Sequence, residues 1–222
     1  MALAIFDLDN TLLSGDSDHA WGQYLVDRNL VDAEVHKYRN DHFYEQYKAG
    51  TLDINEYLAF AMQPLVDYDT ATMLTERERF LETRIDPLIS QRSRDLIAKH
   101  KAAGDTLLII TATNGFVTYP IAERLGIEHI IAPDPEIING NYTGKIVGIP
   151  SFQEGKVTRL NEWLSTQELS LDDSWFYSDS HNDLPLLRIV DHAVAVDPDD
   201  TLKAVAEDNN WPIISLLDEA KK

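Results

Sequence analysis

The chain has 222 residues, enough to bury a sizeable core in one domain or in a core with one inserted domain. Its 38 acidic residues outnumber 19 basic ones, and the formal charge of -19 repels phosphate backbones and anionic membrane surfaces, so neither nucleic acid nor membrane is an expected partner. Without cysteine there is no disulfide, thiolate nucleophile or zinc-cysteine site, which fits a cytoplasmic chain whose metal, if any, is bound by oxygen.

The start, Met1 to Phe6, has no basic stretch and meets Asp7 too early for an export signal. No uncharged apolar run approaches the roughly 20 residues of a membrane helix. Leu3-Ala4-Ile5-Phe6 predicts a first strand running into Asp7-Leu8-Asp9-Asn10-Thr11. Side chains alternate along an extended chain, so Asp7 and Asp9 leave on one side while Leu8 turns into the core. Two carboxylates so placed suit one ionised and one protonated acid unless a cation lies nearby. The same residue types also serve turns and helix caps, and both readings stand at this point.

Ser14 to about Ile85 has no β-rich run and carries aromatics at helical spacing, which predicts a helical insertion. Ser17 is the expected cap of a helix bearing Trp21, Tyr24 and Leu25. A second stretch carries Val35, Tyr38, His42 and Tyr47 and stops at Gly50. Asp53 begins a third over Ile54 to Met62 with Pro64 as breaker, and a charged stretch from Thr72 to Arg84 closes the insertion. From Pro87 onward helices and strands alternate: helix 88–103, strand 106–112, helix 116–125, strand 130–131. This pattern predicts a parallel sheet. Asn139-Gly140 between two short apolar runs is a hairpin signal, read as an accessory. Ser151 to Glu154 has capping-box spacing and places Lys156 in the first turn of a helix over 155–166. Strand 175–177 ending at Asp179, helix 184–190, strand 193–196, helix 202–208 and strand 213–214 complete the chain. The expected architecture is α/β, a doubly wound, mainly parallel Rossmann-like sheet with a helical cap inserted after the first strand. The core comprises 1–13 and 86–222, and the cap 14–85.

Ligands of open α/β sheets collect outside the carboxyl ends of the strands. Asp7 and Asp9, Thr111, and Asp179 with Asp183 all fall there, and Lys156 at a helix start adds positive charge. This ordered set resembles the four motifs of the haloacid dehalogenase-like phosphohydrolases. The large insertion resembles the subfamily that contains phosphoserine phosphatase and histidinol-phosphatase-like enzymes. The resemblance implies that Asp7 attacks phosphorus to form an aspartyl phosphate and that Asp9 protonates the leaving oxygen and later activates water. It also implies Mg2+ held by Asp7, the Asp9 carbonyl and Asp179, with Asp183 supporting the site from nearby. Thr111, Lys156 and Asn182 would attend the phosphoryl group. Gly155-Lys156 is no nucleotide-binding P-loop, because Val157 stands where Ser or Thr is required. His181 is read as a pocket-edge residue.

Asp16 falls where phosphoserine phosphatases carry an acid for the substrate ammonium. Ala59 stands where they carry the arginine for the substrate carboxylate, unless Arg39, Lys48 or another base of the cap folds into that place. An acidic, aromatic cap with Asp16, Asp18, Trp21 and Tyr24 suits an amine and an imidazole, so histidinol phosphate is the expected substrate among small phosphorylated metabolites. Phosphoserine or another small phosphomonoester, a phosphotransferase or phosphomutase reaction, and a non-catalytic phospholigand-binding role are the alternatives. Oligomeric state has no signature in the sequence.

Overall fold

The computed structural model describes residues 2–218, so the outer ends of the core expected at 1–13 and 86–222 reach beyond the described residues. The first strand, β1 (Leu3–Phe6), is buried along its length. Leu3 and Ile5 pack with Leu108, Ile110 and Phe176 on one face, while Ala4 and Phe6 pack with Ile109, Tyr177 and Val194 on the other. An apolar run without alternation is what a strand covered on both faces requires.

Four helices, α1 (Ser17–Asp27), α2 (Ala33–Lys48), α3 (Ile54–Asp67) and α4 (Thr70–Phe80), then precede α5 (Gln91–Ala103) and β2 (Thr106–Ile110). The chain continues through α6 (Gly115–Leu125), β3 (His129–Ile131), a hairpin of β4 (Asp134–Ile138) and β5 (Asn141–Val147), and α7 (Glu154–Leu164). It closes with β6 (Trp175–Ser178), α8 (Leu184–Leu187), β7 (His192–Val196), α9 (Asp200–Asn209) and β8 (Ile213–Ile214). Six strands form one sheet in the order β3-β2-β1-β6-β7-β8, with every pairing parallel. The chain builds outward from β1 through β2 and β3, then crosses to β6 on the other side. The switch point between β1 and β6 opens a crevice at their carboxyl ends.

The helical insertion leaves and rejoins the sheet at one place. Leu13 bridges Ile89 in antiparallel fashion, and the Ser14 N–H donates to the Leu88 carbonyl at 2.9 Å. The hairpin is not a bystander, because β5 lies against α3 and Gly144 approaches Val66. Its tight turn places Asn139 and Gly140 at φ 53 and 81, the left-handed region that this dipeptide tolerates.

Four local expectations need correction. Asp16, not Ser17, caps α1, accepting from the Asp18 and His19 N–H groups at 3.0 and 2.8 Å. One oxygen of the Asp16 carboxylate takes both orphan donors. Pro64 does not stop α3, which runs on to Asp67. The proline sits in the last turn, where one lost backbone bond is offset by burial of Leu65. Ser151 does not cap α7; its hydroxyl donates instead to the Thr111 carbonyl at 2.5 Å, and Gln153 leads into the helix with φ 48 and no side-chain cap. Helix α5 begins at Gln91 rather than 88, because the Ser90 hydroxyl accepts from the Ser93 N–H and fixes the start there. Among the described residues, no helix is long and apolar enough to cross a membrane.

Candidate active site

Past β1, Asp7 (φ -68, ψ 159) and Asp9 (φ -72, ψ 133) are both extended, on either side of Leu8, where a wide turn begins. Asp7 and Asp9 face one cleft while Leu8 is fully buried between them. Asn10 then turns left-handed at φ 57, and the Leu13 N–H closes a wide turn on the Leu8 carbonyl at 3.0 Å. That turn aims Thr11 at the carboxyl end of β6. Its hydroxyl lies 3.1 Å from Asp179 Oδ1 and 3.4 Å from Asp7 Oδ2, so two acids from neighbouring strands converge on one group.

Lys156 enters from the opposite side. At Gly155, a Cβ would stand 2.0 Å from the Pro150 carbonyl oxygen, so only glycine permits the close approach that starts α7 beside the cleft. The Lys156 Nζ donates to Asp7 Oδ1 at 2.7 Å and to Asp183 Oδ2 at 2.8 Å. Asp183 also accepts the Ser178 hydroxyl at 2.7 Å. Burial opposes the lysine charge, but Asp183 and Asp7 outweigh it and raise the ammonium above its ordinary range. Burial pushes Asp7 up to about 7 against the pull of Lys156, and Asp183 adds to the rise. Asp179 is driven well above the carboxylate range, first by burial and then by Asp7 and Asp183.

Asp7 and Asp183 share a single ammonium and Asp179 lies near both, which leaves two negative charges in excess when all three are ionised. Among the described residues no three His, Cys, Asp or Glu side chains converge as a ready-made metal cluster. The pair Asp7 and Asp179 nonetheless fits a hard divalent cation. Two carboxylates and the nearby backbone, with water filling the remaining positions, is how magnesium is commonly held. Asp183 is turned to Lys156 and Ser178.

Asp9 has a different environment. Its Oδ1 accepts the Ser17 N–H at 2.7 Å and its Oδ2 the Thr113 hydroxyl at 2.7 Å. Burial raises it to about 6 and Asp16 adds to the rise, while the Ser17 and Thr113 donors oppose it. Thr111 lies just past β2 and lines the cleft. Its Oγ1 accepts the Thr113 N–H at 3.1 Å, which leaves the hydroxyl proton free to point at a ligand.

The cleft wall facing these groups comes from the helical cap: Asp16, Asp18, His19, Asn40, Tyr44, Tyr47 and Tyr57. Burial lifts Asp18 to about 8, against a hydrogen bond from the Tyr57 hydroxyl, and Asp16 raises it further. No lysine or arginine is among the described residues lining this cleft. Ala59 is exposed on α3. Arg39 stacks over Phe60 at 4.6 Å, and Lys48 pairs with Glu45 over the Tyr44 ring. Neither base lines the cleft.

The structure thus brings Asp7, Asp9, Asp16, Thr111, Lys156, Asp179 and Asp183 to one end of the sheet. Trp21 is not among the residues lining this cleft. It is 3% exposed and packs against Tyr24, Phe80 and Phe116 in the core, with ring centroids 5.1–5.9 Å apart. Tyr24 is likewise buried there, its hydroxyl donating to Glu76 at 2.7 Å. Asn182 bridges the cap and the core instead of opening into the cleft. It donates to the Tyr47 carbonyl and accepts from the Gln153 amide, both at 3.0 Å. His181 lies beside it at the outer edge, paired with Asp199 at 2.7 Å. Sequence reasoning missed Thr113, Tyr47 and Tyr57. For Thr113 the signal was present, since Thr111-Ala112-Thr113 past a strand end sends two hydroxyls the same way. The tyrosines carried no mark separating a pocket wall from a packed stripe.

The sequence profile of the haloacid dehalogenase-like hydrolases matches residues 4–188. A Neisseria meningitidis protein named histidinol-phosphatase is 45% identical over 218 residues, covering 96% of this chain and 98% of that protein. A crystal structure of a Bordetella pertussis protein of unknown function superposes with a TM-score of 0.91 at 41% identity, covering 97% of this chain and 99% of the other. A phospho-aspartyl intermediate analogue of phosphoserine phosphatase shares the fold at a TM-score of 0.71 and 17% identity, over 99% of this chain and 95% of its own. With that match spanning the strand ends where the acids, the threonine and the lysine meet, this chain is an enzyme of the haloacid dehalogenase-like hydrolase family.

Proposed function

We propose that the chain is a magnesium-dependent phosphomonoesterase whose substrate is histidinol phosphate, worked by a core and a cap divided near residues 14 and 85. In the first half-reaction an Asp7 oxygen forms a bond to phosphorus as the ester P–O bond breaks. The departing alkoxide takes the proton of the Asp9 carboxyl and leaves as the alcohol. In the second, water attacks the aspartyl phosphate, gives its proton to the Asp9 carboxylate, and phosphate departs from Asp7. Lys156 holds Asp7 in line and offsets charge on the equatorial oxygens, while the Thr111 hydroxyl donates to one of them. Asp7, the Asp9 carbonyl and Asp179 would hold Mg2+, which would supply the positive charge that lets a carboxylate approach a phosphate dianion.

One observation carries the choice of substrate. The cleft that contains Asp7, Asp9 and Thr111 is walled by Asp16, Asp18 and three tyrosines, with no lysine or arginine among its described lining residues. Carboxylate recognition calls for a fork of cationic donors. A substrate carrying an ammonium and an imidazole instead meets acids and aromatic faces, and the 45% identical histidinol-phosphatase supports the same reading. Initial rates on histidinol phosphate, phosphoserine and sugar phosphates, with and without magnesium, test it. Histidinol phosphate should be preferred by at least about tenfold in kcat/KM, a difference of about 1.4 kcal/mol. A preference for phosphoserine would overturn the choice.

A further inference from the structure

Thr113 takes no part in the proposed steps, yet its side chain makes one specific bond. Its hydroxyl donates to Asp9 Oδ2 at 2.7 Å, and the residue is 6% exposed. The other oxygen of Asp9 is held by the Ser17 N–H, also at 2.7 Å. The two anchors come from different parts of the fold, one from the start of α1 and one from the loop between β2 and α6. Together they fix the plane of the carboxyl group. With only one anchor, the carboxyl is free to rotate about its Cβ–Cγ bond, a broad torsion with no sharp minimum to hold it. Thr113 is itself rigidly mounted: its N–H donates to Thr111 Oγ1 at 3.1 Å, and the next residue, Asn114, caps α6.

We infer that Thr113 is a positioning residue, whose hydroxyl holds the Asp9 carboxyl at the angle from which it serves the leaving oxygen and the attacking water. The inference rests on the phosphatase reading above. General acid–base assistance contributes about 100- to 10,000-fold, and loss of one of two anchors should forfeit about 10- to 100-fold of it.

The experiment compares Thr113→Val, which keeps the shape without the hydroxyl, and Thr113→Ser, which keeps the hydroxyl. The substrates are histidinol phosphate, whose alkoxide must be protonated, and 4-nitrophenyl phosphate, whose phenolate departs unaided. The Val variant should lose about 10- to 100-fold in kcat on the alkyl ester with KM nearly unchanged, and the Ser variant should recover most of it. The pre-steady-state burst of 4-nitrophenolate, which reports attack by Asp7 alone, should fall by less than about threefold. A fall of the 4-nitrophenolate burst as large as the loss of kcat on the alkyl ester, or a Ser variant as slow as Val, would show that the residue only supports the fold. Thr113→Ala provides the same comparison should the Val side chain perturb the melting temperature. A wild-type enzyme inert toward both esters sinks the phosphatase reading and this role with it. An active wild type matched by the Val variant sinks the role of Thr113 alone.

Discussion

Replacing Lys156 with methionine keeps an unbranched stem of similar length and removes the ammonium that Asp7 and Asp183 both face at 2.7 Å. The three side chains are 2%, 5% and 3% exposed, so solvent cannot take over the lost role. Breaking a buried ion pair by deleting one partner costs about 3–5 kcal/mol, because the remaining charge stays buried and uncompensated. Two carboxylates lose their partner here, but Ser178 still donates to Asp183 and either acid can take up a proton, so the single-pair figure is not doubled. For a chain of this size each kcal/mol moves Tm by about 2–4 °C, which gives a fall of about 6–20 °C. Thermal unfolding followed by circular dichroism measures it. Magnesium should raise the variant's Tm, since a divalent cation at Asp7 and Asp179 relieves part of the same repulsion. A change of less than about 2 °C would refute the reasoning, because it would mean that the acids do not depend on the lysine.

Asp18→Asn should lower kcat/KM for histidinol phosphate by about 10- to 100-fold while leaving 4-nitrophenyl phosphate within about twofold, since only the former has a cationic end to lose; equal losses would remove Asp18 from recognition. Trp21→Ala should destabilise the protein by about 3–5 kcal/mol in denaturant titrations with KM unmoved in the folded fraction. A raised KM at unchanged stability would return Trp21 to the substrate site. Glu76 accepts from Arg28 Nε at 2.9 Å, Tyr24 at 2.7 Å and Arg79 at 3.1 Å, and the Arg28 bond holds it below the usual carboxylate range against the effect of burial. A depressed folded-state pKa contributes stability above the unfolded value of about 4.3 and loses it as pH falls through the folded one. The Tm gap between wild type and Glu76→Gln should therefore be widest near neutrality and close below about pH 4, and a gap that widened in acid would contradict the assignment.

The sheet was legible because each buried strand is an apolar run ended by a polar residue at the point where the chain leaves the core. Leu3 to Phe6 followed by Asp7, and Leu107 to Ile110 followed by Thr111, are both of this kind. Asp7 and Asp9 share the cleft with Leu8 buried between them, as alternation predicts, but the chain reaches that arrangement through a wide turn that begins at Leu8. Helix starts were less legible. At Asp16-Ser17 and at Ser151 to Glu154 several residues could cap, and tertiary partners decided between them: the Thr111 carbonyl claimed the Ser151 hydroxyl, and Asp9 claimed the Ser17 N–H. The cap was the least readable part. Trp21, Tyr24, Tyr47 and Tyr57 all lie on helical stripes, and only the crossing of α1, α2 and α3 buries the first pair among core rings and turns the second pair to the cleft. That Arg39 and Lys48 would spend themselves on Phe60 and Glu45 was equally a matter of packing rather than pattern.

Asp7 is the residue whose carboxylate takes the phosphoryl group in the proposed reaction, and the most direct measurement is to catch it doing so. The enzyme would be mixed with histidinol phosphate and magnesium, quenched in acid within the first turnover and reduced with borohydride, which converts an aspartyl phosphate to homoserine. Peptide mapping by mass spectrometry then identifies the modified position. Homoserine at residue 7, absent without substrate and absent in Asp7→Asn, is the predicted result. Unmodified Asp7 alongside steady phosphate release, or the modification at another acid, would contradict it.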